Sequence, residues 1–158
     1  MELVSLTPTT EPEWERLCAA SPGAWFWHTR AWREYTVAYR PELRTSSLAF
    51  LVRDGGEAVG LMPLSLEEWP TSGGGPERQL TFGGSDCWAP ALAPALGARR
   101  GDAVLRRILE HVRRLGEEAG AMRVALRVSP LVPGLGDVLT AFLAATTRAG
   151  FLDASLAS

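Results

Sequence analysis

Lysine is missing from this 158-residue chain, and all 16 basic residues are arginine. Beside so much Ala, Gly and Pro, that is the mark of GC-rich coding and not of an arginine-dependent function. The run Gly73-Gly74-Gly75 lacks the Lys-Ser/Thr end that a P-loop needs. Cysteine is scarce as well: Cys18 and Cys87 are too few for a disulfide framework, and two thiols cannot complete a zinc quartet. No His/Cys/Asp cluster suggests a metal, so none is expected. There is no Gly-x-Ser-x-Gly elbow for a serine nucleophile, and no carboxylate pair at a telling spacing. No run reaches the roughly 18 apolar residues of a membrane span. The opening residues, MELVSLTPTTEPEWE, lack a basic segment followed by an apolar one, so no signal peptide is indicated and a reducing cytoplasm is the expected location. Positive charge is not in excess either. With a net charge of −2, the chain lacks the basic footprint of a DNA-binding domain.

What is present describes one soluble domain over residues 1–158. Hydrophobic residues make up 46% and charged residues 22%, ordinary values for a globule, and a chain of this length buries roughly 68–70% of its unfolded surface. Val4 to Thr7 predicts a first strand. Thr10, Pro12 and Glu13 predict a helix start with Thr10 as N-cap and Glu13 as its capping-box partner. Trp14, Leu17 and Cys18 form the buried stripe of that helix, and Ser21-Pro22-Gly23 ends it. Trp25 and Trp27, in an aromatic connector, are expected in the core with Trp14. Thr29 then caps a second helix, with Trp32, Tyr35 and Tyr39 at spacings of three and four, and Pro41 ends it.

From Ser46 the period changes to that of strands. Leu48 to Arg53 and Ala58 to Leu66 flank Asp54-Gly55-Gly56-Glu57, a strong hairpin signal. A second hairpin has its tip at Pro70 to Glu77 and its return strand at Arg78 to Phe82. Gly83 to Arg100 reads as a surface loop. Gly101 and Asp102 lead into a helix whose apolar face is Val104, Leu105, Ile108, Leu109, Val112 and Leu115, with His111 at its edge as a structural residue. Met122, Val124, Leu126 and Val128 alternate as a half-buried strand. A last helix over Val138 to Leu143 and a strand from Phe151 follow. The order β-α-α-β-β-β-α-β-α-β implies an α/β (α+β) fold with a mixed sheet and helices on both faces.

That order is the one found in GNAT N-acyltransferases. Several stretches resemble the N-terminal lobe of its Fem-type (FemAB-like) peptidyltransferase and acetyltransferase branch: Trp25-Phe26-Trp27-His28-Thr29-Arg30-Ala31-Trp32, then Leu51 to Gly60 with Met62-Pro63-Leu64 in step, and Arg148-Ala149-Gly150-Phe151. The resemblance implies acyl transfer from acyl-CoA, acetyl-CoA among them, or from aminoacyl-tRNA, to a small-molecule or peptide amine. It also implies that this lobe is half of a two-lobed protein or pairs as a homodimer. The alternative is a non-catalytic lobe that binds the acceptor or docks a second lobe.

Site residues follow from the same resemblance. The family holds the donor pyrophosphate on a Gln/Arg-x-x-Gly-x-Gly/Ala turn before its central helix, where backbone N–H groups and the helix dipole favour anions. Here that position is Gly97-Ala98-Arg99-Arg100-Gly101-Asp102-Ala103, with Ala98 where Gln/Arg belongs and Asp102 adding an anion. Arg99, Arg100 and Gly101 are the cofactor-binding candidates. The loop Gly83 to Trp88 would line the acceptor cleft, with Trp32, Gly84 and Trp88 facing the acceptor and Asp86 and His28 as catalytic candidates. Structural alternatives stand beside each: a capped helix start with solvated arginines, a plain turn, and a packed histidine.

Overall fold

The Asp54 to Glu57 turn organises the molecule. Gly55 and Gly56 both have positive φ, 64° and 86°, the type I′ geometry whose twist matches that of flanking antiparallel strands. In this computed structural model, which describes residues 1–81, 87–88, 90–94, 96–124, 126–127, 144–148 and 150, the turn joins two long bent strands. The first comprises β2 (Arg44–Ser47) and β3 (Phe50–Asp54), the second β4 (Glu57–Met62) and β5 (Ser65–Trp69). The register of Ser47 opposite Ser65 continues through a Leu48 N–H to Leu64 carbonyl bond of 2.8 Å into Phe50 opposite Met62. One hairpin therefore runs through both main sheets. The sequence predicts a single strand from Ala58 to Leu66; the structure interrupts it at Pro63, which has no N–H to give a ladder, and restarts it as β5.

Around this ribbon, β1 (Glu2–Ser5) pairs with β3, and β8 (Ala91–Leu92) pairs with β4, giving the order β1-β3-β4-β8. The second sheet has the order β2-β5-β6-β9, with β6 at Glu77–Thr81 and β9 at Arg123–Val124. A small parallel pair joins β7 (Cys87–Trp88) to β10 (Leu126–Arg127). The stretch read as a surface loop thus carries two strands and a helix start. Both strands are two residues long, too short for any periodicity.

Alternation along the ribbon sends side chains to opposite faces. Phe50, Val52 and Met62 meet Val104, Ile108 and Val112 of α3 (Ala98–Ala119), while Ala49, Leu51 and Leu61 meet Trp14 and Leu17 of α1 (Glu11–Ala20). Helices on both faces of a mixed sheet are what the element order predicts. α2 (Arg30–Tyr39) follows a 3₁₀ turn at Phe26–His28, and residues 144–148 are helical.

Local expectations fare unevenly. Thr29 caps α2, its Oγ1 accepting the Trp32 N–H at 3.3 Å. Thr10 precedes α1 but gives it no side-chain cap; its hydroxyl accepts the Thr7 N–H. Glu13 does not reach back as a capping-box partner, because the Arg53 guanidinium grips both its oxygens at 3.0 Å, a stronger charge-assisted contact. Trp25 is 41% exposed and not core. Cys18 is half-buried against the α1-side cluster. Met122 is 77% exposed: it lies before β9, its N–H bonded to the Arg78 carbonyl, and the buried phase begins only with Val124. The predicted helix from Val138 to Leu143 and the strand from Phe151 lie outside the described residues.

Candidate functional site

Two features of the fold converge where β6 ends. The first is a mismatch of register. Leu80 pairs with Val124 and Cys87 with Leu126, so seven steps on one strand answer two on its parallel neighbour. On the other side Thr81 opposes Ser65 and Ala91 opposes Leu61, so ten steps answer four. The surplus falls between Thr81 and Cys87, the segment that holds the predicted acceptor loop. Gly84 and Asp86 lie outside the described residues. Trp88 stands in β7, opposite Arg127.

A polar row crosses the second sheet just before that point. Leu66, Leu80 and Val124 point toward α3, so the residues alternating with them face the other way. There Thr45, Glu67, Gln79 and Arg123 stand opposite one another in turn, with Ser65 opposite Thr81 on the next rung. Glu67 is 2% exposed and accepts a bond from the Gln79 Nε2 at 2.9 Å. A carboxylate this deep is costly unless hydrogen-bonded. Sequence reading missed it, because Glu67-Glu68 in a strand resembles a solvated edge. The usable signal was its placement opposite Gln79 across the second hairpin.

The second feature is the start of α3. The helix begins at Ala98, one turn before the predicted Gly101, with Gly97 as N-cap, no side-chain cap and no acid in its first turn. Its opening N–H groups have no intrahelical partner, and a helix dipole adds positive potential there. Gly101 corrects an expectation: its N–H bonds the Gly97 carbonyl at 2.9 Å and the residue is buried, so it is not an anion donor. Arg100 is held by Asp54 of the hairpin turn, Nη2 to Oδ2 2.6 Å, with half of its side chain in solvent. Exposed pairs of this kind are worth about 0–1 kcal/mol, so a phosphate can displace the carboxylate. Arg99 is exposed and, among the described residues, has no ion-pair partner. Asp102 does not oppose an anion as its sequence position suggests, since Arg106 and Arg148 neutralise it.

His28 takes the packed alternative of its two readings. It is 3% exposed, and its Nδ1 accepts the Trp25 N–H at 2.9 Å, which locks the 3₁₀ turn. Trp32 is half-buried, edge-on to Phe26 at 5.3 Å and to Trp27 at 5.4 Å. It begins an aromatic row along α2, in which Tyr35 and Tyr39 stack at 5.1 Å. A further apolar hollow of about 450 Å³ lies between α1 and the start of α2, lined by Trp14, Cys18 and Trp25 among others. No group of residues suited to a metal occurs among the described residues, and no helix among them is long and apolar enough to cross a membrane.

Neither protein-family models nor curated proteins match this sequence. Solved structures do. The aminoglycoside 6'-N-acetyltransferase AAC(6')-IG from Acinetobacter haemolyticus superposes with a TM-score of 0.57 at 13% identity, over 97% of this chain and 92% of that one. The chain has the GNAT fold. A second acetyltransferase structure, AAC(6')-Iy in complex with CoA, gives a TM-score of 0.49 at 14% identity over 96% of this chain and 92% of that one. Within the GNAT fold, α3 is the central helix after the meander.

Proposed function

We propose that the protein is an N-acyltransferase that takes its acyl group from acyl-CoA, acetyl-CoA first of all, and passes it to the amine of a small-molecule acceptor. The observation that carries this is the start of α3: a 22-residue helix with no side-chain cap, no first-turn acid and, among the described residues, no ion-pair partner for Arg99. That is the composition of a diphosphate site, and it lies on the helix that the fold places after its meander. The neighbour from Acinetobacter haemolyticus is by name an N-acetyltransferase of amine-bearing small molecules, which supports the same class of acceptor.

On this reading Arg99, Arg100 and the N–H groups of Ala98 to Arg100 hold the donor. The segment between Thr81 and Cys87 lines the acceptor cleft with Trp32 and Trp88. The acceptor's neutral amine attacks the thioester carbonyl carbon, the C–N bond forms and the C–S bond breaks. Asp86 takes the amine proton, which passes to the departing thiolate. Positioning supplies most of the rate and one base adds about 10²–10⁴-fold. His28 supports the site by fixing the turn into α2.

Calorimetric titration with acetyl-CoA and CoA tests the donor half. One-to-one binding is expected, weakened about tenfold by Arg99→Ala, the loss of one charge-assisted contact. Absence of heat from folded protein would sink this reading and favour a second one, a lobe that docks a partner lobe of the Fem type or a second copy. The observation on that side is the exposure of Phe26, Tyr35, Val37 and Tyr39, and concentration-dependent dimerisation in sedimentation would accompany it.

A further inference from the structure

Small side chains leave an open hollow where α1 meets the start of α2. Among the described residues its apolar lining comes from Trp14, Cys18 and Ala19 of α1, Ala24 and Trp25 of the connector, and Ala31 of α2. Three of the six are alanine and a fourth is cysteine, too little volume to close the gap between two helices. The space left is about 450 Å³, the size of a small-molecule site. α1 and α3 cover opposite faces of the first sheet, so the hollow lies across that sheet from the helix proposed to hold the donor.

The charges around it do not balance. Arg30 belongs to the lining but is held by Glu34 at 2.6 Å, and Arg33 beside it is held by Glu11. Thr29 is committed too: its hydroxyl donates to the Phe26 carbonyl at 2.6 Å and accepts the Trp32 N–H. Glu15 also belongs to the lining, is exposed and, among the described residues, has no ion-pair partner. Its charge is felt at both Cys18 and Arg30, on either side of the hollow. One uncommitted carboxylate thus stands beside an aromatic and aliphatic surface. That surface is complementary to a single positive charge on an apolar body. The indole of Trp25, 41% exposed, offers a face for cation–π attraction. An anion would be repelled by Glu15, and a neutral molecule would gain nothing from it.

We infer that this hollow is a binding site for a small primary amine with a flat apolar body, its ammonium paired with Glu15 and its body packed against Trp25 and Cys18. It is a second amine site, apart from the acceptor cleft assigned above to the segment between Thr81 and Cys87, and it requires no donor.

The test is calorimetry on the full chain, without coenzyme, with phenethylamine, its anionic counterpart 3-phenylpropionate, and ethylamine, which keeps the charge and lacks the ring. Phenethylamine should bind one-to-one. The other two should bind at least about tenfold more weakly, the acid through repulsion and ethylamine through lost apolar burial. Glu15→Gln should weaken phenethylamine about fivefold, the upper end for an exposed ion pair. Ala19→Leu, which fills the hollow from α1, should weaken it further. Both positions are exposed, and an unaltered melting temperature shows that the variants fold. A second readout locates the ligand: saturating phenethylamine should slow alkylation of Cys18 by iodoacetamide, and Glu15→Gln at the same amine concentration should lose part of that protection. Equal affinities for the amine and the acid overturn the inference. So does amine binding that ignores both variants and leaves Cys18 unprotected, which belongs to the acceptor cleft. Self-association that shields Cys18 without any amine also overturns it, with a second copy as the occupant.

Discussion

The indole N–H of Trp14 donates to the backbone carbonyl of His28 at 2.7 Å, inside the protein. This single bond ties α1 to the 3₁₀ turn that starts α2. The same ring is 1% exposed and carries the Arg33 guanidinium over its face at 5.0 Å. Trp14→Phe keeps most of the packing but leaves the His28 carbonyl without its donor. It should cost about 1–3 kcal/mol, read as a lower denaturant midpoint with an unchanged slope.

Gly60 is where β4 meets α3 most closely. A Cβ there would stand 2.9 Å from Val104 Cγ1, 3.3 Å from Leu92 Cδ2 and 3.4 Å from Ile108 Cδ1. All three belong to the packing under α3, where no side chain can swing into solvent. Gly60→Ala should destabilise the fold by about 1–3 kcal/mol through overpacking. Equilibrium unfolding measures it.

His111 introduces a pH dependence. Burial, then the charges of Arg114 and Arg107, hold its imidazole below the ordinary value of 6.5, against a smaller opposing effect of Glu118. Its ring packs edge-on to Phe50 at 4.7 Å, and its Nδ1 accepts from Arg114 at 3.0 Å. The unfolded chain therefore takes up this proton more readily than the folded one, and stability must fall with falling pH. The loss begins near pH 6.5 and is complete below the lowered folded value. His111→Phe keeps a ring against Phe50 and should remove this step from a stability profile between pH 8 and 5.

Cys18 lies half-buried beside the hollow between α1 and α2. Burial pushes its thiol above the ordinary value of 9.0, outweighing the opposite pull of Arg33. Little thiolate is present near neutrality, and thiolate is the reactive form. Cys18 should be alkylated at pH 7.5 at least about tenfold more slowly than a free thiol of pKa about 8.5, followed at that residue by peptide mass spectrometry. Denaturant should abolish the difference.

Sequence reasoning succeeded where one local signal dominates. The α3 stripe from Val104 to Val112 and the Gly55-Gly56 turn each specify their geometry within a few residues, and the order of such elements was enough to name the fold. It failed where distant partners decide. Arg53 draws Glu13 away from its cap across a strand pair. Ala98 joins α3 without a capping residue to mark it. Strands as short as Ala91–Leu92 exist only because β4 is there to pair with. The proposed site was partly legible: Arg99 is proposed from its place at the start of the central helix, whereas Glu67 becomes visible only once Gln79 is known to stand opposite it. Gly101 was selected for its residue type, and its N–H proves to be taken by the helix itself.

The mismatch between Thr81 and Cys87 also bears on how such a scaffold diversifies. Pairing on either side of it is set by β6 with β9 and by β7 with β10, independently of how many residues lie between. Insertions, deletions or wholesale exchange of that connection leave every flanking rung in place. Related chains can thus vary in length at that one position, while the hairpin and α3 stay under separate constraints.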